Sequence, residues 1–100
     1  MDEDYKDWGI EDVPVYQLKL FVAGTSSLSV RAISNLKLIL SKYLDGRYEL
    51  DIIDVYQQPE MALQDDVAAV PMLLKKFPSP TRRLIGDMSD TAKVLRGLGI

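Results

Sequence analysis

Val70–Gly86 reads VPMLLKKFPSPTRRLIG. Three of its peptide bonds precede a proline, at Pro71, Pro78 and Pro80, and it carries Lys75, Lys76, Arg82 and Arg83 without one acid. Two readings compete. MLLKKF has no β-branched residue, so helix propensity favours it. MLLKKF and RRLIG, on either side of PSP, also read as the two strands of a hairpin. The choice decides the second half of the fold.

Upstream the signals are stronger. YQLKLFV (Tyr16–Val22) alternates and is rich in β-formers, a first strand. From Leu28 the apolar residues Leu28, Ala32, Ile33, Leu36, Ile39, Leu40, Tyr43 and Leu44 keep a helical period, with Ser27 or Ser29 as N-cap. Asp45-Gly46 stops that helix, Gly46 suiting a left-handed C′ position. YELDIIDV (Tyr48–Val55) is a second strand, and a crossover helix between two strands of one sheet makes them parallel. Pro59 suits the first position of a short helix over PEMALQDDVAA. SDTAKVLRGLG reads as a last helix, with Ser89 as N-cap and Ala92, Val94, Leu95 and Leu98 as its apolar face. With the hairpin, the order is βαβαββα, an α/β thioredoxin-like arrangement over residues 16–100, preceded by an acidic mobile arm over residues 1–15. The two glycines of VLRGLGI each cost about 1 kcal/mol in a helix, and its Val, Leu and Ile could line a strand instead. After Asp54, then, local preference and fold are weakly aligned, a conflict that marks strain or function.

Composition narrows the chemistry. One hundred residues fit one domain, and the net charge of −3 implies neither nucleic acid nor anionic membrane as partner. The chain has no cysteine and no histidine. Thiol redox chemistry, thiolate nucleophiles and Cys-ligated zinc are excluded, and the commonest general base and transition-metal ligand are missing. No apolar run approaches the ~20 residues of a membrane span, and the acidic N-terminus has no apolar signal region, so a cytoplasmic protein is expected.

Thr25-Ser26-Ser27-Leu28 stands where a thioredoxin carries its CxxC, so disulfide exchange is discarded. The hydroxyls of Ser26, Ser27 and Ser29 read as helix caps, and GTSSLS lacks phosphate-loop spacing. Asp51 and Asp54 fall on opposite faces of a strand, and the adjacent Asp65 and Asp66 read as solvated, so neither pair suggests a metal or a catalytic dyad. No cofactor is expected and no catalysis. Lys75, Lys76, Arg82 and Arg83 put four cations within nine residues. Paired across a hairpin, some would converge on one face as an electrostatic patch for an acidic protein partner. The competing reading is an edge guarded against aggregation by charge; RNA binding ranks third, with Phe77 the one aromatic nearby. Pro71 lies where thioredoxin-like folds place a cis-proline, and Pro78 and Pro80 frame the turn. Rigid turns, or a slow conformational gate, would each use them.

LKLFVAGTSSLSVRAISNL, YELDIIDVYQQPEMALQDDVAAVPMLL and PSPTRRLIGDMSDTAKVLRGL together resemble the KaiB family of circadian clock proteins, over about Leu18–Leu98. LKLFVAG, SVRA, IDV and RRLIGD are specific in combination and order. The resemblance implies a non-catalytic binding protein that engages the KaiC ATPase ring and helps sequester KaiA. It also implies a fold switch between an oligomeric ground state, a dimer or tetramer with a βαββααβ topology, and a thioredoxin-like monomer. Carried over by position, Arg31, Lys75, Arg82 and Arg83 match partner-contacting cations. Tyr16 matches a strand residue that affects assembly, and Gly97 a glycine whose backbone freedom favours the ground state. Gly99 stands where an acid is common in the family, and Ser34 replaces a frequent Lys. A second resemblance is to the KaiB-like sensor domain of a clock-output histidine kinase, which implies a thiol-free sensor module of a KaiC-linked kinase or stress-response system.

Overall fold

The computed structural model describes residues 14–100. The acidic arm expected over residues 1–15 lies almost wholly outside the described residues. Strand β1 (Tyr16–Val22) leads into helix α1 (Ser27–Tyr43), then strand β2 (Tyr48–Asp54), helix α2 (Pro59–Gln64), the hairpin of β3 (Met72–Phe77) and β4 (Arg82–Ile85), and helix α3 (Thr91–Leu98). The sheet order is β2-β1-β3-β4. β1 runs parallel to β2 and antiparallel to β3, and β3 is antiparallel to β4. The expected βαβαββα order is thus the observed one.

The hairpin wins over a helix because β3 is an inner strand. Met72, Leu73, Leu74 and Lys75 are all buried, alternately against the two faces of the sheet. A strand covered on both faces loses its period-2 signature and looks like a continuous apolar run. One face carries the larger core: Leu18, Leu20 and Leu73 from the sheet pack with Ala32, Leu36, Ile39 and Leu40 of α1 and Val94 and Leu98 of α3. On the other face Phe21, Ile53, Met72 and Leu74 pack with Met61, Val67 and neighbours around α2.

Local chemistry departs from the sequence reading at several ends. The N-cap of α1 is Ser26, whose hydroxyl accepts the Ser29 N–H; Ser29 is instead fully buried and its Oγ accepts the Ala23 N–H. Leu28, expected on the apolar face, is 48% exposed. Gly46 has φ +73° but lies two residues beyond the C-cap Leu44. α2 stops at Gln64, well short of the run expected to Ala69, because Asp66 turns left-handed at φ 55°. Its N–H and that of Val67 then return to the carbonyls of Leu63 and Ala62, a Schellman closure with aspartate where glycine is usual. The N-cap of α3 is Asp90, whose carboxylate accepts the Lys93 N–H; Ser89 stands one residue too early, and Ala92 is exposed. Gly99 closes that helix left-handed at φ 82°. Gly97 stays inside it for a different reason: a Cβ there would lie 2.5 Å from Leu84 Cδ1, so its absence lets α3 settle onto β4.

Candidate partner-binding surface

The four cations of the hairpin do not form one patch. Lys75 and Arg82 are register partners and share the face of α1 and α3. Arg82 is exposed, whereas Lys75 is only 4% exposed, against the expectation of a surface contact. Burial, with the Arg82 charge beside it, pulls the Lys75 ammonium below the usual lysine range. Lys76 and Arg83 reach the opposite face, where they meet a residue expected to be solvated. Asp65 is 8% exposed. Its Oδ2 accepts from Lys19 Nζ at 3.0 Å, its Oδ1 from Lys76 Nζ at 3.4 Å, and its carbonyl oxygen from Arg83 Nη2 at 2.8 Å. Burial raises the Asp65 carboxyl, but the hydrogen bonds and charges of Lys19 and Lys76 outweigh it and hold the group below the usual carboxylate range. Asp66, its neighbour, is exposed as expected.

Lys19 is the site residue that the sequence reading missed. Its only sequence signal is that it is a polar residue in the alternation of β1; its partner lies 46 positions away, beyond any local pattern. Arg31 stands apart from the hairpin. It projects from the first half of α1, 59% exposed, with Nε 3.6 Å from Asp87 Oδ2. Asp87 is held below the usual range first by its bonds to Ser89 and then by Arg31.

The remaining candidates have structural roles here. Tyr16 is buried among the larger core, and its N–H donates to the Arg47 carbonyl at 2.9 Å. Pro71 is buried and its carbonyl accepts the Gly86 N–H, closing the open end of the hairpin. The bonds preceding Pro71, Pro78 and Pro80 are all cis. Asp54, the carboxylate on which an enzyme reading would lean, accepts the N–H groups of Gly24 and Tyr56 at 3.1 and 2.9 Å and ties the two loops at that end of the sheet.

The geometry is therefore an electropositive edge: a four-residue strand with arginines on both faces and, among the described residues, no further strand beyond it. A family model described as "KaiB domain" matches residues 19–100. The chain belongs to the KaiB family. The circadian clock oscillator protein KaiB of Gloeothece citriformis is 48% identical over 85 residues, 85% of this chain and 80% of the relative. KaiB of Synechococcus elongatus is 49% identical over 85 residues, 85% of this chain and 83% of the relative. Among solved structures, the N-terminal domain of Synechococcus elongatus SasA superposes with a TM-score of 0.69 at 24% identity, covering 86% of this chain and 85% of that one. Mitochondrial thioredoxin 3 of Saccharomyces cerevisiae gives 0.69 at 16% identity, covering 95% and 87%. These likenesses establish the thioredoxin-like fold for this KaiB-family chain. Among the described residues no helix is long and apolar enough to cross a membrane.

Proposed function

We propose that this KaiB-family chain is a regulatory binding module of a circadian-type clock, docking on the ring of a KaiC-type ATPase through the β3–β4 edge. The observation that carries the reading is Arg82, exposed on the terminal strand with no acid within 4 Å among the described residues. Arg83 and Lys76 flank it on the other face, each already drawn towards Asp65. Charges on such a rim set encounter rate and register more than final affinity. Lys75 acts from beneath, its buried ammonium adding to the potential at Arg82, while Arg31 marks a second contact on α1. Residues 16–100 act as one unit in this role. Sequestration of KaiA and a switch to a βαββααβ ground state, dimeric or tetrameric, belong to the same reading. The support for the switch is the weak agreement between local preference and fold after Asp54, in MLLKKF and in VLRGLGI with Gly97; Pro71, Pro78 and Pro80 are the positions a slow gate would use. A second reading, a sensor module linked to a histidine kinase, is favoured by the superposition on the SasA domain.

The test is capture of the purified chain by KaiC with ATP, alongside its mass in solution. Arg82→Glu should abolish capture with the fold retained by circular dichroism. A lag before capture, together with an oligomer at rest, supports the switch; immediate capture of a monomer favours the sensor reading. Undiminished capture by Arg82→Glu removes this edge as the contact.

A further inference from the structure

The cations of the sheet sort by face, and the two faces treat them differently. Towards α2, Lys19, Lys76 and Arg83 all reach acceptors on Asp65. Towards α1 and α3, Lys75 and Arg82 stand opposite each other across the β3–β4 ladder. Among the described residues neither of them has an ion pair or a side-chain hydrogen bond. Like charges directly opposite destabilise a sheet, and a lysine is almost never buried unless paired. Asp65 and Lys75 are the charged residues buried among those described; the acid meets three cations, the lysine no acid. The elements around Lys75 explain the lack. Its partner in β1 is the buried Leu18. α1 (SLSVRAISNLKLILSKY) and α3 (TAKVLRGL) contain no acid. Gly99 closes α3 so near that a Cβ on it would lie 4.0 Å from Lys75 Nζ. The negative end of that helix favours a cation beside it, but the carbonyls of Leu95 and Arg96 are already taken by the N–H groups of Ile100 and Gly99. Gly99 and Arg82 are both exposed, so the ammonium lies just beneath the surface, with a solvent-facing guanidinium as its neighbour.

We infer that Lys75 and Arg82 form a binding site for one phosphate group, which enters from solvent beside Arg82 and accepts hydrogen bonds from the guanidinium and from the buried ammonium. The guanidinium fork matches a phosphate with parallel hydrogen bonds, and the ammonium acts as a point charge. A doubly charged phosphate answers both cations, where a carboxylate answers one. Bound there, it cancels the cross-strand repulsion and gives the ammonium the hydrogen-bonded counter-charge that burial calls for. Burial and the Arg82 charge depress the Lys75 ammonium, and a phosphate removes the second of these causes. The site shares Arg82 with the proposed docking edge, yet it stands on these two cations and not on docking to an ATPase ring.

The test is a titration of the full chain with inorganic phosphate, against sodium chloride at matched ionic strength so that screening is equal. Melting temperature and backbone amide NMR shifts are the readouts. Phosphate also stabilises folded chains in general through exclusion from their surface, so variants set the baseline. Lys75→Met puts an apolar side chain of similar length in place of a buried charge, an exchange that is often neutral or stabilising. Arg82→Ala alters an exposed side chain. In the parent chain the melting temperature should rise saturably with phosphate beyond the chloride control, and the amides of Lys75, Arg82 and Gly99 should shift along the same isotherm. Both variants should lose the saturable part and keep the general rise. No saturable response in the parent chain, or the same response in either variant, overturns the inference. So does a saturable shift centred on Lys76 and Arg83, which would move the ligand to the Asp65 face. Should Lys75→Met fail to fold, Arg82→Ala and the amide shifts of the parent chain decide the matter. The titration contains no partner, so its outcome is separate from that of capture by KaiC.

Discussion

The two faces of the sheet are held by different physics. Beneath α1 and α3 lie 13 buried apolar residues, and the long α1 alone places Ala32, Leu36, Ile39 and Leu40 in the core. The face of α2 has four, Phe21, Ile53, Met72 and Leu74, and the six-residue α2 adds only the half-buried Met61 and Ala62. What fixes the chain there is Asp65, just past the end of α2, holding Lys19 of β1 and Lys76 of β3 with its carboxylate and Arg83 of β4 with its carbonyl. One face thus answers to apolar volume, the other to charge. Three of the four strands send a cation to a single residue, so the packing of the second face depends on pH and salt.

The largest effect expected is on the apolar face. Leu36 is fully buried, and Leu36→Ala should lower unfolding stability by about 2–5 kcal/mol in urea denaturation, independent of salt. An equal loss at high and low salt is what the comparison demands. Asp65→Asn comes next, at about 1–3 kcal/mol, because Lys19 and Lys76 lose their counter-charge. The sign with pH follows from the lowered carboxyl of Asp65. Its contribution is complete above the ordinary value of 3.8 and is lost as pH falls through the lower folded value. Acid denaturation of Asp65→Asn should therefore have a flatter limb than that of the parent chain; an unchanged limb would break the contrast between the faces.

A double-mutant cycle sharpens the packing side. Gly97→Ala gains helix propensity of about 1 kcal/mol, but its Cβ meets Leu84 at 2.5–2.9 Å. The substitution should thus be clearly more favourable in a Leu84→Ala background than alone, and additivity would remove close approach as the reason for that glycine. The smallest effect is at the exposed edge. Arg82→Glu should move stability by no more than about 0.5 kcal/mol in the same denaturation, which keeps any loss of partner capture attributable to contact.

The first half of the fold was legible because its signals agree. Tyr16–Val22 alternates, α1 keeps its period for 17 residues, and Asp45-Gly46 marks a stop. The hairpin was legible from its turn rather than from its strands, since an inner strand buried on both faces carries no alternation. The end of α2 was not legible: Asp66 adopts a conformation that sequence rules assign to glycine or asparagine. Of the candidate surface, Arg82 could be read directly, as an exposed cation on an edge. The burial of Lys75 and the pairing of Lys76 and Arg83 with Asp65 could not, because they depend on which face each strand position meets. A clustering in sequence became two clusters in space.

Among the described residues the sheet has two open borders, and they carry opposite signs. β2 ends it with Glu49, Asp51 and Asp54, β4 with Arg82 and Arg83. A copy that laid its acidic border on the basic border of another would leave the pair with the same two free borders it began with. Such head-to-tail growth yields fibres unless the rotation between successive copies closes a ring. The brevity of β4, four residues against the seven of β2, leaves little ladder to template that growth.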